Sequence, residues 1–174
     1  MKLNVGSGDH PLDGYCNLDI RNKGADLIAK VPPLPFQSET LDEIYAGHFL
    51  EHLDFWAGRR FLHECWRCLK LGGKLAVVVP NTKAIVQAYI QQENLWIELP
   101  KGAWHNLNDL DSICRLFLYS PDQNTPHVWS YDLDTLKTAM CRSRFCGLRA
   151  IDNYTDTRLA SPAWYQCGLE GVKM

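Results

Sequence analysis

The sequence at residues 2–8 is KLNVGSG, and the sequence at residues 16–20 is CNLDI. This order predicts a buried strand, a glycine turn and a second strand that ends at a carboxylate, Asp19. Gly6 and Gly8 have no Cβ atom, so the backbone there can turn sharply and approach a ligand closely. A carboxylate at the end of the next strand can accept hydrogen bonds from ribose hydroxyls. The stretch therefore predicts a site for a ligand that contains adenosine.

One observation limits this interpretation, and one alternative competes with it. The dinucleotide fingerprint G-x-G-x-x-G is incomplete, because Pro11 stands where the third glycine is needed. This argues against nicotinamide and flavin cofactors. The structural alternative is that a glycine turn joins two ordinary buried strands and that Asp19 only faces solvent.

Length and charge restrict the class of protein. A chain of 174 residues predicts one domain over residues 1–174 with a single core. Eighteen Lys and Arg against twenty Asp and Glu give a formal net charge of -2, which offers no general attraction for nucleic acid. Apolar runs such as LAVVV at residues 75–79 are far shorter than the about 20 residues of a spanning helix. No apolar signal segment precedes the first strand, so we expect a cytoplasmic protein without membrane contact.

The seven cysteines do not suggest a disulfide framework, because their number is odd and several lie in apolar surroundings. The nearest approach to a metal motif is HECWRC at residues 63–68. It lies within a helical pattern, and no second Cys pair follows at zinc-finger distance. We expect no metal site in this segment.

Apolar runs alternate with helical patterns up to about residue 90, which is typical of a parallel sheet covered by helices. Strands are predicted at residues 3–5, 15–18, 26–28, 43–46 and 73–79. Before the fifth strand, apolar residues recur at three- and four-residue steps and predict a helix from residue 55 that Gly72 and Gly73 end.

The connection between the first two strands is about ten residues long and is interrupted by Pro11 and Gly14. Its helix is therefore predicted to be shortened or absent. One face of the sheet is then thinly covered, which motivates the hypothesis of a homodimer.

The second half of the chain has a looser pattern. Residues 91–130 are interpreted as an insertion over the site. Asp132 is the predicted N-cap of a helix that runs to about residue 146. Extended segments are predicted at residues 148–152 and 164–172, with a hairpin-like connection between them.

Five segments in this order resemble the motifs of class I S-adenosylmethionine-dependent methyltransferases, in particular small bacterial members with an unassigned acceptor. They are LNVGSG at residues 3–8, NLD at 17–19, LPF to LDEIYA at 34–46, LEHL at 50–53 and LKLGGKL at 69–75. The resemblance implies an α/β, Rossmann-like methyltransferase fold. Its seven-stranded sheet would be mostly parallel with the last strand antiparallel, and the cofactor would be S-adenosylmethionine.

The resemblance also implies a cofactor site. Gly6 and Gly8 would pass under the methionine portion, and Asp19 would hold both ribose hydroxyls. Gly47 and His48 would face the methionine carboxylate or the methyl acceptor, because ligands in such sheets sit outside the carboxyl ends of strands. The residues expected to bind the cofactor are Val5, Gly6, Ser7, Gly8, Asp19, Ile20, Ala29, Lys30, Val31, Gly47 and His48.

The chain departs from its relatives at the adenine. Residues 29–31 would border that base, and Lys30 stands where relatives usually carry an Asp that meets the adenine amino group. Backbone groups are then expected to supply the contact.

The expected reaction is methyl transfer to a small-molecule or carbohydrate-like acceptor rather than to nucleic acid. Because the sulfonium already makes the methyl group electrophilic, the protein mainly has to align a nucleophile and exclude water. A hydroxyl or ammonium acceptor also needs a base, for which His48 and His127 are the candidates, and His105 is a third histidine expected to adjoin the pocket. Aromatic residues Trp104, Trp129 and Tyr131 are candidates for a wall of the acceptor pocket.

Two alternatives stay open. Lys30 and the expected absence of the N-terminal cap helix that many relatives carry motivate a cofactor-binding module without transfer activity, serving as a subunit or regulator. The sequence HFLEH at residues 48–52 also fits the H-x-x-E-H pattern of inverted zinc peptidases, with His48 and His52 as ligands and Glu51 as base. Because His48 directly follows a strand and Gly47, we expect it to lie off the helix face and predict no metal ligands.

Overall fold

The computed structural model describes residues 1–91, 126–151 and 165–174, together with two strands at residues 96–99 and 103–106. The strands are β1 (Lys2–Val5), β2 (Cys16–Asp19), β3 (Leu27–Ile28), β4 (Leu41–Gly47), β5 (Leu69–Pro80), β6 (Trp96–Leu99), β7 (Ala103–Asn106), β8 (Phe145–Ala150) and β9 (Gln166–Lys173). The helices are a 3-10 turn (Leu50–His52), α1 (Phe55–Cys68), α2 (Thr82–Ile90) and α3 (Leu133–Arg142).

Seven strands form one sheet in the order β3-β2-β1-β4-β5-β9-β8, while β6 and β7 form a separate antiparallel pair. The first five strands are parallel to one another, and β9 is antiparallel to both β5 and β8. The predicted fold class is confirmed, including the antiparallel last strand.

The main core lies between one face of the sheet and helices α1 and α3. It contains Leu3, Ile44 and Leu75 from the strands, Phe61 from α1 and Met140 from α3, all fully buried. The helical spacing of Phe61 and its neighbours therefore reflects packing on this face. None of the described helices has the length and apolar composition needed to cross a membrane.

The opposite face has a smaller cluster of Leu12, Tyr45 and Val78. Tyr45 and Val78 alternate with strand residues of the main core, so they point to the other side of the sheet. No helix lies between β1 and β2, and the loop around Leu12 provides this cover instead. The expected loss of the first crossover helix is confirmed, whereas homodimerisation stays a prediction.

A buried asparagine pair holds this loop in place of a helix. Asn17 Oδ1 accepts hydrogen bonds from the Leu12 N–H at 2.8 Å and from Asn4 Nδ2 at 2.9 Å. Asn17 Nδ2 donates to the Leu12 carbonyl at 3.2 Å. The loop backbone is thus satisfied by a side chain of the adjacent strand.

Two predicted helix ends are wrong. Helix α1 ends at Cys68 rather than at the glycines, because Leu69 already pairs with Leu41 in the sheet. Gly72 and Gly73 lie instead in an irregularity of β5, between that pair and the pairing of Lys74 with Glu43.

Helix α3 ends at Arg142 rather than near residue 146. The chain leaves the helix at Arg144, whose φ is 72°, and enters β8 at Phe145. The predicted N-cap is confirmed, since Asp132 accepts from the Thr135 N–H and Thr135 Oγ1 accepts from the Asp132 N–H.

This capping box should contribute measurably to the free energy of unfolding of the whole protein. We predict that Asp132→Ala lowers the free energy of unfolding by about 1 kcal/mol, because orphan N–H groups of α3 lose their acceptor. Asp134→Ala is the matched control, since that exposed carboxylate lies in the same first turn without capping it. Equal urea midpoints for the two variants would contradict the assignment.

Candidate functional site

The strand order reverses at β1 and β4. From β1 the chain proceeds to β2 on one side, and from β4 it proceeds to β5 on the other. A crevice outside the carboxyl ends of such strands is the usual ligand site of open parallel sheets. The glycine turn, Asp19 and Gly47 all lie at these strand ends.

The glycine turn is held against β2 by its backbone. The N–H groups of Gly6 and Ser7 both donate to the Leu18 carbonyl, at 2.8 and 3.2 Å. Gly6 has φ +69°, and a Cβ there would lie 2.6 Å from Phe49 Cδ2. Gly8 has φ +53°, and a Cβ added there would have room, because the nearest atom, Arg21 Nη2, would be 3.7 Å from it. Position 6 thus requires glycine because Phe49 packs against its backbone. Position 8 favours glycine because its backbone is left-handed.

Asp19 faces the glycine turn. Its side chain is 6% exposed, Oδ2 accepts from the Gly8 N–H at 2.9 Å, and Oδ1 accepts from the Arg21 N–H at 2.8 Å. Oδ1 also accepts from Arg21 Nε at 3.4 Å. Each carboxylate oxygen offers two lone pairs, so the acceptor position that stays open for a further donor is on Oδ2. The alternative in which Asp19 only faces solvent is wrong.

The segments that follow β2 and β3 lie beside this carboxylate. Ile20 is an apolar side chain that is 55% exposed, and the Ala29 N–H donates to the Asp19 carbonyl at 3.0 Å. Lys30 is exposed and Val31 is buried. Ala29 therefore lies beside the end of β2, and the role of residues 29–31 at the adenine stays a prediction.

A second cluster lies after β4 and centres on Glu51, which is 1% exposed. His48 Nδ1 is 3.2 Å from Glu51 Oε1, and His127 Nε2 is 3.9 Å from the same oxygen. The other ring nitrogen of His48 lies 2.5 Å from Gln166 Oε1. Two candidate bases that are far apart in the sequence, His48 and His127, thus meet at one buried carboxylate.

Backbone contacts fix this arrangement. His48 has φ 51°, and its N–H donates to the Val78 carbonyl at 2.9 Å, so it is tied to β5 before the 3-10 turn begins. The N–H groups of Val128 and Trp129 donate to the Glu51 carbonyl at 2.9 and 3.1 Å. These bonds hold the segment that carries His127 against the turn.

The charge of Glu51 is maintained despite its burial. Burial acts to raise the pKa of Glu51, but the contact with His48 and the charges that His48, His52 and His127 can carry hold this pKa below its ordinary value. Burial, together with the Glu51 charge, raises the pKa of Tyr131 to about 12. The cluster therefore combines an ionised carboxylate with a neutral phenol at neutral pH.

Other predicted site residues are placed differently. Tyr131 belongs to the main core, while Trp129 is partly exposed with its ring 5.2 Å from that of Phe55. Trp104 and His105 lie on β7, and their side chains are outside the described part of the structure, as is most of the predicted insertion. Sequence reasoning missed Gln166, because an isolated glutamine at the start of a strand gives no signal.

The H-x-x-E-H interpretation does not fit the geometry. His48 precedes the 3-10 turn in a left-handed backbone conformation, so His48 and His52 do not occupy adjacent turns of one helix. The expectation that His48 lies off the helix face is confirmed.

Comparisons with known proteins agree with this geometry. Residues 15–77 match the family model described as "Methyltransferase domain". No curated protein matches the chain.

Three solved structures illustrate the similarity of fold. A SAM-dependent methyltransferase from Thermotoga maritima, described as a possible histamine N-methyltransferase, is 13% identical with a TM-score of 0.63, over 99% of this chain and 82% of that one. A SAM-dependent methyltransferase from Methanosarcina mazei is 15% identical with a TM-score of 0.62, and the match covers 99% of this chain and 92% of that one. The phosphoethanolamine N-methyltransferase 2 of Haemonchus contortus, in complex with S-adenosyl-L-methionine, is 8% identical with a TM-score of 0.55. That match covers 99% of this chain and 48% of the other.

The predicted family resemblance is confirmed by the domain match and by the fold. The domain match also supports a methyltransferase enzyme.

The contact between Gly6 and Phe49 makes the turn sensitive to a single methyl group. We predict that Gly6→Ala lowers the free energy of unfolding by about 1–3 kcal/mol more than Gly24→Ala, because the added Cβ collides with the Phe49 ring. Gly24 is the matched control: its φ is +82°, and no atom lies within 4 Å of its added Cβ. Urea unfolding measures both, and similar losses would show that Phe49 moves aside without cost.

Proposed function

We propose that the protein transfers the methyl group of S-adenosylmethionine to a small-molecule or carbohydrate-like acceptor. The match of residues 15–77 to a methyltransferase domain supports this proposal. The observation that carries the proposal is the buried Asp19 carboxylate, which accepts the Gly8 N–H at the point where the strand order reverses. A nucleoside with a 2′,3′-diol is a ligand that this carboxylate can bind with charge-assisted hydrogen bonds.

The remaining cofactor contacts follow from the strand ends. In the proposed site the methionine portion lies over the turn formed by Val5, Gly6, Ser7 and Gly8, and its carboxylate approaches Gly47 and His48. The exposed Ile20 and the backbone of residues 29–31 flank the adenine. The Ser7 hydroxyl is fully buried and has no hydrogen-bond partner among the described residues, which supports its place in this site.

Orientation provides most of the expected rate enhancement. Methyl transfer needs the acceptor atom in line with the S–C bond, and such alignment lowers a barrier by roughly 7–11 kcal/mol in favourable cases. The acceptor displaces the sulfur, which leaves as S-adenosylhomocysteine, and a hydroxyl or ammonium acceptor releases one proton.

His48 is the first candidate to receive that proton, since it follows β4 at the edge of the crevice. Glu51 lies 3.2 Å from its Nδ1 and can orient the ring and stabilise the imidazolium, while the acceptor takes the place of Gln166 at Nε2. His127 is the second candidate, because it faces the same carboxylate from a different segment.

A small acceptor is favoured over nucleic acid by the net charge of -2. Two of the compared structures are described as N-methyltransferases of small amines, one of them only as possible. At 13% and 8% identity these descriptions support the size class of the acceptor and leave its methylated atom open.

The cofactor site is tested without knowing the acceptor. We predict that S-adenosylhomocysteine binds the wild-type protein and that Asp19→Ala loses about 2–3 kcal/mol of binding free energy, because two charge-assisted hydrogen bonds disappear. Calorimetry measures the loss. Asp19→Asn keeps one acceptor oxygen and should lie in between, and the exposed Asp13→Ala is the control on the preceding loop. Equal affinities of Asp19→Ala and wild type would show that the ribose is held elsewhere.

The adenine assignment has its own test. We predict that Lys30→Asp binds S-adenosylhomocysteine as tightly as the wild type or more tightly, because it restores the carboxylate that relatives place near the adenine amino group and Lys30 is exposed. Lys23→Asp controls for the change of charge, since Lys23 pairs with Asp9 on the surface. Weaker binding of Lys30→Asp alone would mean that the lysine makes a contact of its own.

Turnover separates the enzyme from a cofactor-binding module. With labelled S-adenosylmethionine and a broad panel of small hydroxyl and amine acceptors, we predict acceptor-dependent release of S-adenosylhomocysteine. His48→Asn should lower kcat by about two powers of ten or more, because the candidate base is lost. Tight cofactor binding with no transfer to any member of the panel would favour the module instead.

A further inference from the structure

We propose that Glu51, His52 and His127 form a binding site for a divalent first-row transition-metal ion. One potential ligand atom from each of these residues lies within 4.8 Å of the other two. The inference goes beyond methyl transfer and does not rest on it. It also differs from the H-x-x-E-H pattern, because His127 takes the place of His48.

The distances suit closure around one ion. His127 Nε2 is 3.9 Å from Glu51 Oε1, and the rings of His52 and His127 have centroids 4.8 Å apart at an interplanar angle of 64°. In a tetrahedral zinc site the ligand atoms are about 3.3–3.5 Å apart, given bonds of about 2.0–2.1 Å. Side-chain rotations that shorten a separation of 4.8 Å by about 1.5 Å would complete the geometry.

Glu51 supplies the observation that points to a ligand. It is 1% exposed, and neither carboxylate oxygen has an aligned hydrogen bond within the parts of the chain that the structure describes. The nearest side-chain nitrogen, His48 Nδ1, lies 3.2 Å from Oε1 in an ion-pair contact. A buried carboxylate without hydrogen bonds is costly unless a cation compensates it.

His52 is held in the form that a metal requires. Its Nδ1 lies 3.2 Å from the Pro126 carbonyl oxygen, which can only accept, so Nδ1 carries a hydrogen and, in the neutral ring, the lone pair is on Nε2. A backbone carbonyl bound to the second ring nitrogen is the usual support of a metal-bound histidine. The same segment is tied to the Glu51 carbonyl by the Val128 and Trp129 N–H groups.

The donor set selects the class of ion. Two imidazole nitrogens and one carboxylate oxygen suit Zn²⁺, Fe²⁺, Co²⁺ and Ni²⁺, whereas Ca²⁺ and Mg²⁺ prefer oxygen ligands throughout. Three protein ligands leave at least one coordination position for water or another small donor. Zn²⁺ is therefore the appropriate probe.

The alternative is a purely structural cluster in which protonated histidines compensate Glu51.

The test uses tag-free, chelator-treated protein with Cys141→Ser in every variant, because that exposed thiol could bind zinc itself. Calorimetry with Zn²⁺ alone should give one equivalent with a dissociation constant of about 1 µM or below.

His127→Ala and Glu51→Gln should each weaken zinc binding at least about tenfold. His63→Ala is the matched control, since His63 is exposed on α1, and it should bind as the parent does. Circular dichroism checks that each variant folds. If the buried Glu51→Gln does not fold, His127→Ala decides the question, because its side chain is partly exposed.

No binding by the parent at about 100 µM Zn²⁺, or equal affinities for His127→Ala and His63→Ala, would overturn the proposal. Binding of S-adenosylhomocysteine is measured in parallel in the presence of chelator. Nucleoside binding without zinc binding would remove only the metal site, and the reverse result would remove only the proposed methyl transfer.

Discussion

The hydrogen bond from the Gly8 N–H to the Asp19 carboxylate joins the glycine turn after β1 to the end of β2. It holds a buried negative charge beside the turn that follows β1, one of the two strands at which the strand order reverses. The turn itself depends on Gly6, whose missing Cβ lets Phe49 pack against the backbone. Cofactor recognition in this account follows from that one junction, because it fixes both the backbone under the ligand and the acceptor for its hydroxyls.

The second half of the site is built on a different principle. Glu51 is removed from water at the start of the connection after β4, and histidines from two segments gather around it. A buried carboxylate of this kind organises its neighbours, since each positive or donating group that approaches it reduces the cost of its burial. The cluster therefore has a structural reason to be rigid, whether a proton or a metal ion supplies the compensating charge.

The strands of the seven-stranded sheet and helices α1 and α3 could be predicted because burial leaves a local pattern in them. The strands β6 and β7 were not predicted, because residues 91–130 were interpreted only as an insertion. The predicted ends of α1 and α3 failed because long-range events decide them: the pairing of Leu69 with Leu41, and the left-handed turn at Arg144. Asp19 and the glycines could be recognised from their spacing. The contact of His48 with Gln166 could not, because these residues are 118 positions apart and only the pairing of β9 with β5 brings them together.

The most direct test is a crystal structure of the protein with S-adenosylhomocysteine. We expect both ribose hydroxyls to donate to the Asp19 carboxylate and the homocysteine portion to lie over residues 6–8. A nucleoside bound elsewhere, or bound in this crevice with Asp19 still contacting only the Gly8 and Arg21 N–H groups, would contradict it.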